Sequence, residues 1–172
     1  YLGASSMFAW QFSKALHTAS HLRLTRFVSM QNHYNLLYRE EEREMNPLCV
    51  DEGVGLLPWS PLARGLLARP TSETSARQKV DQVTKALYDK TALADAEVVR
   101  QVTRIAEERG VPQAQVALAW LLQRPGVVAP IVGASKEGHL TDANLALKLK
   151  LTDEEVRALE EPYVPHPIAG HV

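Results

Sequence analysis

One cysteine in 172 residues, Cys49, excludes an internal disulfide framework, and such sparing usage fits a reducing cytoplasm. Charge of one sign is also lacking. With 19 Lys and Arg against 20 Asp and Glu, the net charge of -1 provides no global field for nucleic acid or an anionic membrane, so any anion must be bound by local groups. No apolar stretch approaches the about 20 residues a membrane helix needs, and no charged-then-apolar leader is expected before Tyr1. No serine sits in a Gly-x-Ser-x-Gly context, which leaves nucleophilic catalysis without support. Close internal repeats and low-complexity tracts are missing too. What is present is ample apolar material: 45% of the residues are hydrophobic, enough to fill one domain core without disulfides or metals.

That apolar material is arranged in short runs that break into polar residues at their C-terminal ends. Val54-Gly55-Leu56-Leu57 breaks into Pro58-Trp59-Ser60-Pro61-Leu62-Ala63-Arg64-Gly65, and Val127-Val128-Ala129-Pro130-Ile131-Val132 into Gly133-Ala134-Ser135-Lys136. Phe27-Val28-Ser29-Met30 ends in Gln31-Asn32-His33-Tyr34, and Tyr1-Leu2 opens into Gly3-Ala4-Ser5-Ser6. Short apolar runs bounded by Gly and Pro predict buried strands, and polar residues at one end of all four predict a parallel α/β sheet or barrel with its site on one rim. The chain begins inside the first of these runs, which we read as the mark of a fragment.

Helical periods separate the runs. Phe8, Phe12, Ala15, Leu16 and Ala19 form one apolar face, and Met45, Leu48 and Cys49 a second that Gly53 ends. The acidic run Glu40-Glu41-Glu42-Arg43-Glu44 before it reads as a solvated first turn favoured by the helix dipole, and Cys49 as a buried thiol. A long helix is expected over residues 95–109, with Val98, Val99, Val102, Ile105 and Ala106 inward and Gly110 closing it. Pro112 opens the next helix, whose buried side is Val116, Ala119, Trp120 and Leu121. Another helix starts at Glu137, and Thr152-Asp153-Glu154-Glu155 is a capping box for a last one through Val156 and Leu159. Residues 68–91 turn polar without a clean period and read as a lid-like excursion, and residues 162–172 as an extended tail.

At the start of the helix after the fourth run, unpaired backbone N–H groups, the positive end of the dipole and Lys136 make a phosphate cradle plausible. Trp59, set between prolines at a strand end, is poorly placed as core filling and well placed as a flat surface on the rim. His17 and His21 have metal-ligand spacing without a third ligand and read as a helix face. His33, just past Gln31, either lines the substrate rim or is a satisfied structural histidine, of which the second is the commoner use of a lone histidine, and His166 and His171 belong to a tail that could fold over the rim. Arg64 serves equally as an anion ligand or as the partner of a nearby acid.

Taken in order, the four strand ends resemble the C-terminal half of the aldo-keto reductase family, in its bacterial-type subgroup with Trp-Ser-Pro-Leu after the seventh strand. The resemblance implies an α/β fold, the (β/α)8 barrel, of which residues 1–172 would supply strands 5 to 8 and their helices. It implies reversible hydride transfer from NADPH to an aldehyde or ketone. Ser5, Ser6 and Gln31 then match residues that hydrogen-bond the nicotinamide carboxamide, with Ser6 in place of a more usual Asn, and Trp59 the aromatic that stacks on the nicotinamide ring. Ser60, Leu62 and Arg64 match the loop around the pyrophosphate, and Ser135 and Lys136 the contacts to the adenosine 2′-phosphate. His139 stands where Arg or Gln is frequent, Asp142 replaces a Glu facing the adenine, and Ala143 stands where Asn is common. The family's catalytic Asp, Tyr, Lys and His lie on its first four strands, so no catalytic residue and no metal ligand is assigned here. The expected partners are a small carbonyl substrate, no nucleic acid, no membrane, and further copies of the chain through open sheet edges. A non-catalytic nucleotide-binding or interaction module from the same barrel is the alternative.

Overall fold

Runs of β-branched and apolar residues too short to be helices, each followed by an amphipathic helix, fold as β-α units because a parallel neighbour can be reached only by a crossover. The computed structural model describes residues 1–69, 82–89 and 91–170. It begins β1 (Leu2–Ser5), α1 (Ala9–His21), β2 (Phe27–Gln31), α2 (Met45–Asp51) and β3 (Gly55–Leu56), and the strands form a parallel sheet in the order β1-β2-β3. The helices that follow are α3 (Gln82–Tyr88), α4 (Ala92–Arg109), α5 (Gln113–Leu122), α6 (Glu137–Ala146) and α7 (Asp153–Glu160).

The β1–β2 register, with an irregularity after Leu2, pairs Gly3 with Ser29, Ala4 with Met30 and Ser5 with Gln31. Side chains alternate across a strand, so Ala4, Met30 and Leu56 face the helices. There they are buried with Phe12 and Leu16 of α1 and Met45 and Cys49 of α2. Gly3, Ser5, Ser29 and Gln31 therefore share the opposite face. A second core joins the loop after β2 (Tyr34, Leu36, Leu37) to α4, α5 and α7 through Val102, Ile105, Trp120 and Leu159. Truncating a residue such as Leu16 to Ala would cost about 2–5 kcal/mol, the usual range for a large buried aliphatic.

Every inward position expected on α4 and α5 is buried. Gly110 ends α4 in the left-handed conformation, φ 65°, that a helix C-terminus favours for glycine. Thr152 and Glu155 form the reciprocal cap expected at α7.

Three expectations need correction. The fourth run, 127–132, is not a strand: it meets β3 in one isolated bridge, Leu56 with Val127, fastened by Leu56 N to Gly126 O at 2.8 Å and Val128 N to Leu56 O at 3.0 Å. Beyond the bridge the pairing thins to one bond, Ile131 N to Pro58 O at 2.8 Å, because Pro130 in the run and Pro58 opposite it have no N–H to give to a ladder. The excursion contains a helix, α3, which the sequence pattern missed; residues 70–81 and 90 lie outside the described residues, as does His171. The acidic run is not a solvated first turn of α2. It is a separate 3-10 turn, Glu40–Glu42, in which Glu40 and Glu41 are buried.

Candidate functional site

The ladder between β2 and β3 continues past both strands. Leu57 N donates to Met30 O and Trp59 N to Asn32 O, each at 2.8 Å, and His33 and Trp59 form a parallel bridge. Neighbouring residues of such a bridge carry their side chains on the same face, which lays the two rings against each other. Their centroids are 4.1 Å apart with planes 9° from parallel, and Tyr38 stacks on the other face of His33 at 4.2 Å and 10°. One face of Trp59 is thereby taken. Its indole N–H donates to Ser6 Oγ at 3.1 Å, so Ser6 steadies the indole. Ser5 Oγ donates to Gln31 O at 3.3 Å, and the Ser5 and Gln31 side chains are exposed neighbours across the strand pair.

Asn35 is the hub beneath this stack. Its Nδ2 donates to Ser60 O at 2.9 Å and Tyr88 Oη at 3.0 Å, while its Oδ1 accepts from the N–H groups of Leu37 and Tyr38 at 2.9 and 3.0 Å. Tyr88 Oη, brought in by α3, is also hydrogen-bonded to His33 Nε2 at 2.8 Å. Burial, with a smaller push from His166, holds the His33 pKa down at about 3, so the middle ring of the stack is neutral.

The loop that follows Trp59 is strained: Ser60, Ala63 and Arg64 have φ of 55°, 46° and 55°, left-handed values that cost non-glycine residues about 1–3 kcal/mol each. Arg64 is partly buried and its Nε donates to Thr84 Oγ1 of α3 at 3.1 Å. Leu62, also partly buried, packs at the margin of the second core.

The tail crosses the rim, as the sequence allowed, and the acidic turn holds it. Glu40 accepts from Tyr163 Oη at 2.6 Å and from His166 N at 2.8 Å, and burial of this carboxylate is offset by those bonds and by Arg43, which keep its pKa low. Both His166 ring nitrogens face acceptors, Val164 O at 2.5 Å and Asp95 Oδ1 at 2.9 Å. Burial opposes charge there, but the Asp95 hydrogen bond prevails and the pKa is raised. Tyr38 Oη donates to Ala169 O at 3.1 Å and accepts from Ala169 N at 2.9 Å. A Cβ on Gly170, whose φ is 94°, would lie 3.2 Å from Trp59 Cζ2. No local sequence signal links Glu40 to residues over 120 positions away. On the other side of the turn, burial pushes Glu41 up to about 7, against a hydrogen bond from Asn32 and with help from Glu40, and burial likewise pushes Cys49 up to about 12.

Ser135, Lys136 and His139 lie on an exposed segment that leaves the rim from Ile131, whose N–H donates to Pro58 O at 2.8 Å. Lys136 precedes the first turn of α6, and Ser135 N donates weakly to His139 Nδ1 at 3.4 Å. Asp142 is turned toward the protein, accepting from Gln115 Nε2 at 2.9 Å. The structure therefore joins Ser5, Ser6, Gln31, Trp59 and Ser60 in one hydrogen-bonded neighbourhood and leaves the 135–139 group apart. His17 and His21 are exposed and stacked on α1, and no group of three metal-ligating side chains is found among the described residues. No helix among them is long and apolar enough to cross a membrane.

The profile of the Aldo/keto reductase family matches residues 1–163. The chain is 47% identical to the aldo-keto reductase dtxS3 of Metarhizium robertsii, over 99% of this chain and 46% of that protein. It is 44% identical to the versiconal hemiacetal acetate reductase of Aspergillus parasiticus, over 98% of this chain and 49% of that protein. It is 48% identical to the aldo-keto reductase AMT2 of Alternaria alternata, over 99% and 46% respectively. The chain spans about half the length of these curated relatives. A family whose barrel is α/β, acting on small carbonyl substrates with a nicotinamide cofactor, thus accounts for a parallel sheet with its polar residues on one rim, and the chain belongs to the aldo-keto reductase family.

Proposed function

We propose that residues 1–172 are the C-terminal half of an NADPH-dependent reductase of aldehydes or ketones, supplying β1 to β3 as strands 5 to 7 of the barrel, the extended run 127–132 at the place of strand 8, and the cofactor rim. The observation that carries this reading is the neighbourhood of Trp59: one face of its ring is packed on His33, Ser6 anchors its N–H, and the exposed Ser5 and Gln31 side chains share the nearby sheet face. These residues fit the flat, amide-bearing end of a nicotinamide, Ser5 and Gln31 offering hydrogen bonds to its carboxamide and Trp59 a stacking face. Bound there, NADPH would supply the hydride. Orienting the ring with one side toward substrate is this chain's contribution.

Ser60, Leu62 and Arg64 would border the pyrophosphate, and the strained backbone there is the kind of cost that persists when a loop is shaped for a ligand. Ser135, Lys136 and His139, at the start of α6, would meet the 2′-phosphate, where N–H groups and a cation favour an anion. Asp142, engaged by Gln115, would reach the adenine only by leaving that bond. The proton donor to the carbonyl would come from residues outside this chain, and the 172 residues alone should not reduce carbonyls. Tyr1 and Leu2 are exposed, and the chain in isolation should associate through its sheet edges. The bacterial-type subgroup reading rests on Trp59-Ser60-Pro61-Leu62, and the relatives above lend it no support.

The experiment is a pair of cofactor titrations on the full-length protein its gene encodes. Lys136→Ala should weaken NADPH by about 1–3 kcal/mol, the range of a charge-assisted contact, and leave NADH unchanged. Equal losses for both cofactors would contradict the phosphate assignment.

A further inference from the structure

We propose that His33 is a positioning residue for cofactor binding: as the middle ring of the Tyr38–His33–Trp59 stack it fixes the plane of Trp59, and so the plane on which the nicotinamide rests. The proposal rests on the cofactor reading of Trp59 given above.

A strand-end tryptophan with one open face has freedom to turn about its side-chain bonds, and a ring free to turn cannot orient a ligand stacked upon it. Here the rotation is blocked. His33 is buried and covers one face of the indole at 4.1 Å, with planes within 9°. It is itself trapped, with Tyr38 on its far face at 4.2 Å and Tyr88 Oη at 2.8 Å from Nε2. Its Nδ1 is buried and finds no hydrogen-bond partner among the described residues. A histidine kept only as a hydrogen-bonding strut would satisfy both nitrogens, so this one is placed by its ring.

The stack is closed from outside by the tail. Tyr38 exchanges two hydrogen bonds with Ala169, and Gly170 packs so close to the indole edge that a Cβ would come within 3.2 Å of it. Burial keeps His33 uncharged, which suits a position one ring removed from a nicotinamide that becomes cationic when oxidised. The sequence reading of His33 as a structural histidine accounts for its burial but not for three parallel rings ending on Trp59.

The test compares His33→Ala, His33→Leu, His33→Phe and Tyr88→Phe in the full-length protein, with NADPH binding followed by energy transfer from protein tryptophan to the bound reduced nicotinamide. Thermal unfolding is recorded in parallel. His33→Phe keeps a flat ring and should bind NADPH within threefold of wild type with the transfer signal intact. His33→Ala should bind at least tenfold more weakly, with KM for NADPH raised and KM for the carbonyl unchanged. Tyr88→Phe keeps every ring and leaves His33 Nε2 only its longer contact to Asn35 Nδ2 at 3.3 Å, so it should stay within the same threefold. His33→Leu, which fills the space without a flat ring, should lose affinity as His33→Ala does and carries the test if His33→Ala does not fold. Folded His33→Ala binding as tightly as wild type, or His33→Phe as weak as His33→Ala, overturns the positioning role. Wild-type protein that binds NADPH without energy transfer, or does not bind it, overturns the cofactor reading and this proposal with it.

Discussion

The two ends of the proposed cofactor track differ in how the chain holds them. At Trp59 the ring is fixed by a backbone bridge, a stacked histidine, the Ser6 hydroxyl and the tail, and beneath it Asn35 ties four groups from three segments together. At Lys136 the side chains are exposed and joined by little more than one weak contact between Ser135 and His139. A site ordered before its ligand arrives loses little entropy on binding but ties affinity to folding stability. A site ordered by its ligand pays that entropy at binding and leaves the fold indifferent to substitution. Stability and cofactor affinity should therefore be coupled at the first end and independent at the second.

The largest effect belongs to Asn35→Ala. The substitution strands buried partners at Ser60 O, Tyr88 Oη and the N–H groups of Leu37 and Tyr38, and should cost about 2–5 kcal/mol of unfolding free energy together with NADPH affinity. A loss of affinity with an unchanged denaturation midpoint would break the coupling.

Glu41→Gln sharpens the same point through pH. The folded pKa of Glu41 is raised from 4.5 to about 7, so the folded protein keeps a proton that the unfolded chain releases. The stability it contributes is complete below pH 4.5 and falls as pH rises through 7, a difference of about 3 kcal/mol by linkage. Glu41→Gln should raise the midpoint at pH 8 and not at pH 4; an equal shift at both would assign the effect to packing. The two buried histidines frame this profile with opposite signs. His33, depressed to about 3, costs stability as pH falls from 6.5, whereas His166, raised, gives stability that is lost as pH climbs through its folded value. The smallest effect is at the other end: Lys136→Ala, which separates the two cofactors, should leave the midpoint within about 0.5 kcal/mol of wild type.

Much of the frame could be read from sequence because it is local. Helices α1, α4 and α5 bury the apolar stripes their 3.6-residue period marks, and Thr152 and Glu155 announce their cap three residues apart. That Trp59 lies just past a strand end is legible because Pro58, Ser60 and Pro61 break the apolar run around it. The rest depends on pairings that leave no local trace. Residues 127–132 have strand composition, but Pro130 within the run and Pro58 on the facing segment lack the N–H groups a continuous ladder needs. Glu40 and Glu41 look solvated until a tail more than 120 residues later covers Glu40. Helix α3 has a short apolar stripe, Val83, Ala86 and Leu87, but it is not the face that is buried: Val83 is exposed while Thr84 and Tyr88 are buried, Tyr88 by what it meets, His33 and Asn35.

A crystal structure of the full-length protein with NADPH bound would decide whether this rim holds a nicotinamide on the face of Trp59 opposite His33. The nicotinamide ring should be stacked on that face, with its carboxamide in hydrogen-bond reach of the Ser5 and Gln31 side chains. A nicotinamide bound elsewhere, or Trp59 turned away from His33 in the complex, would contradict this placement.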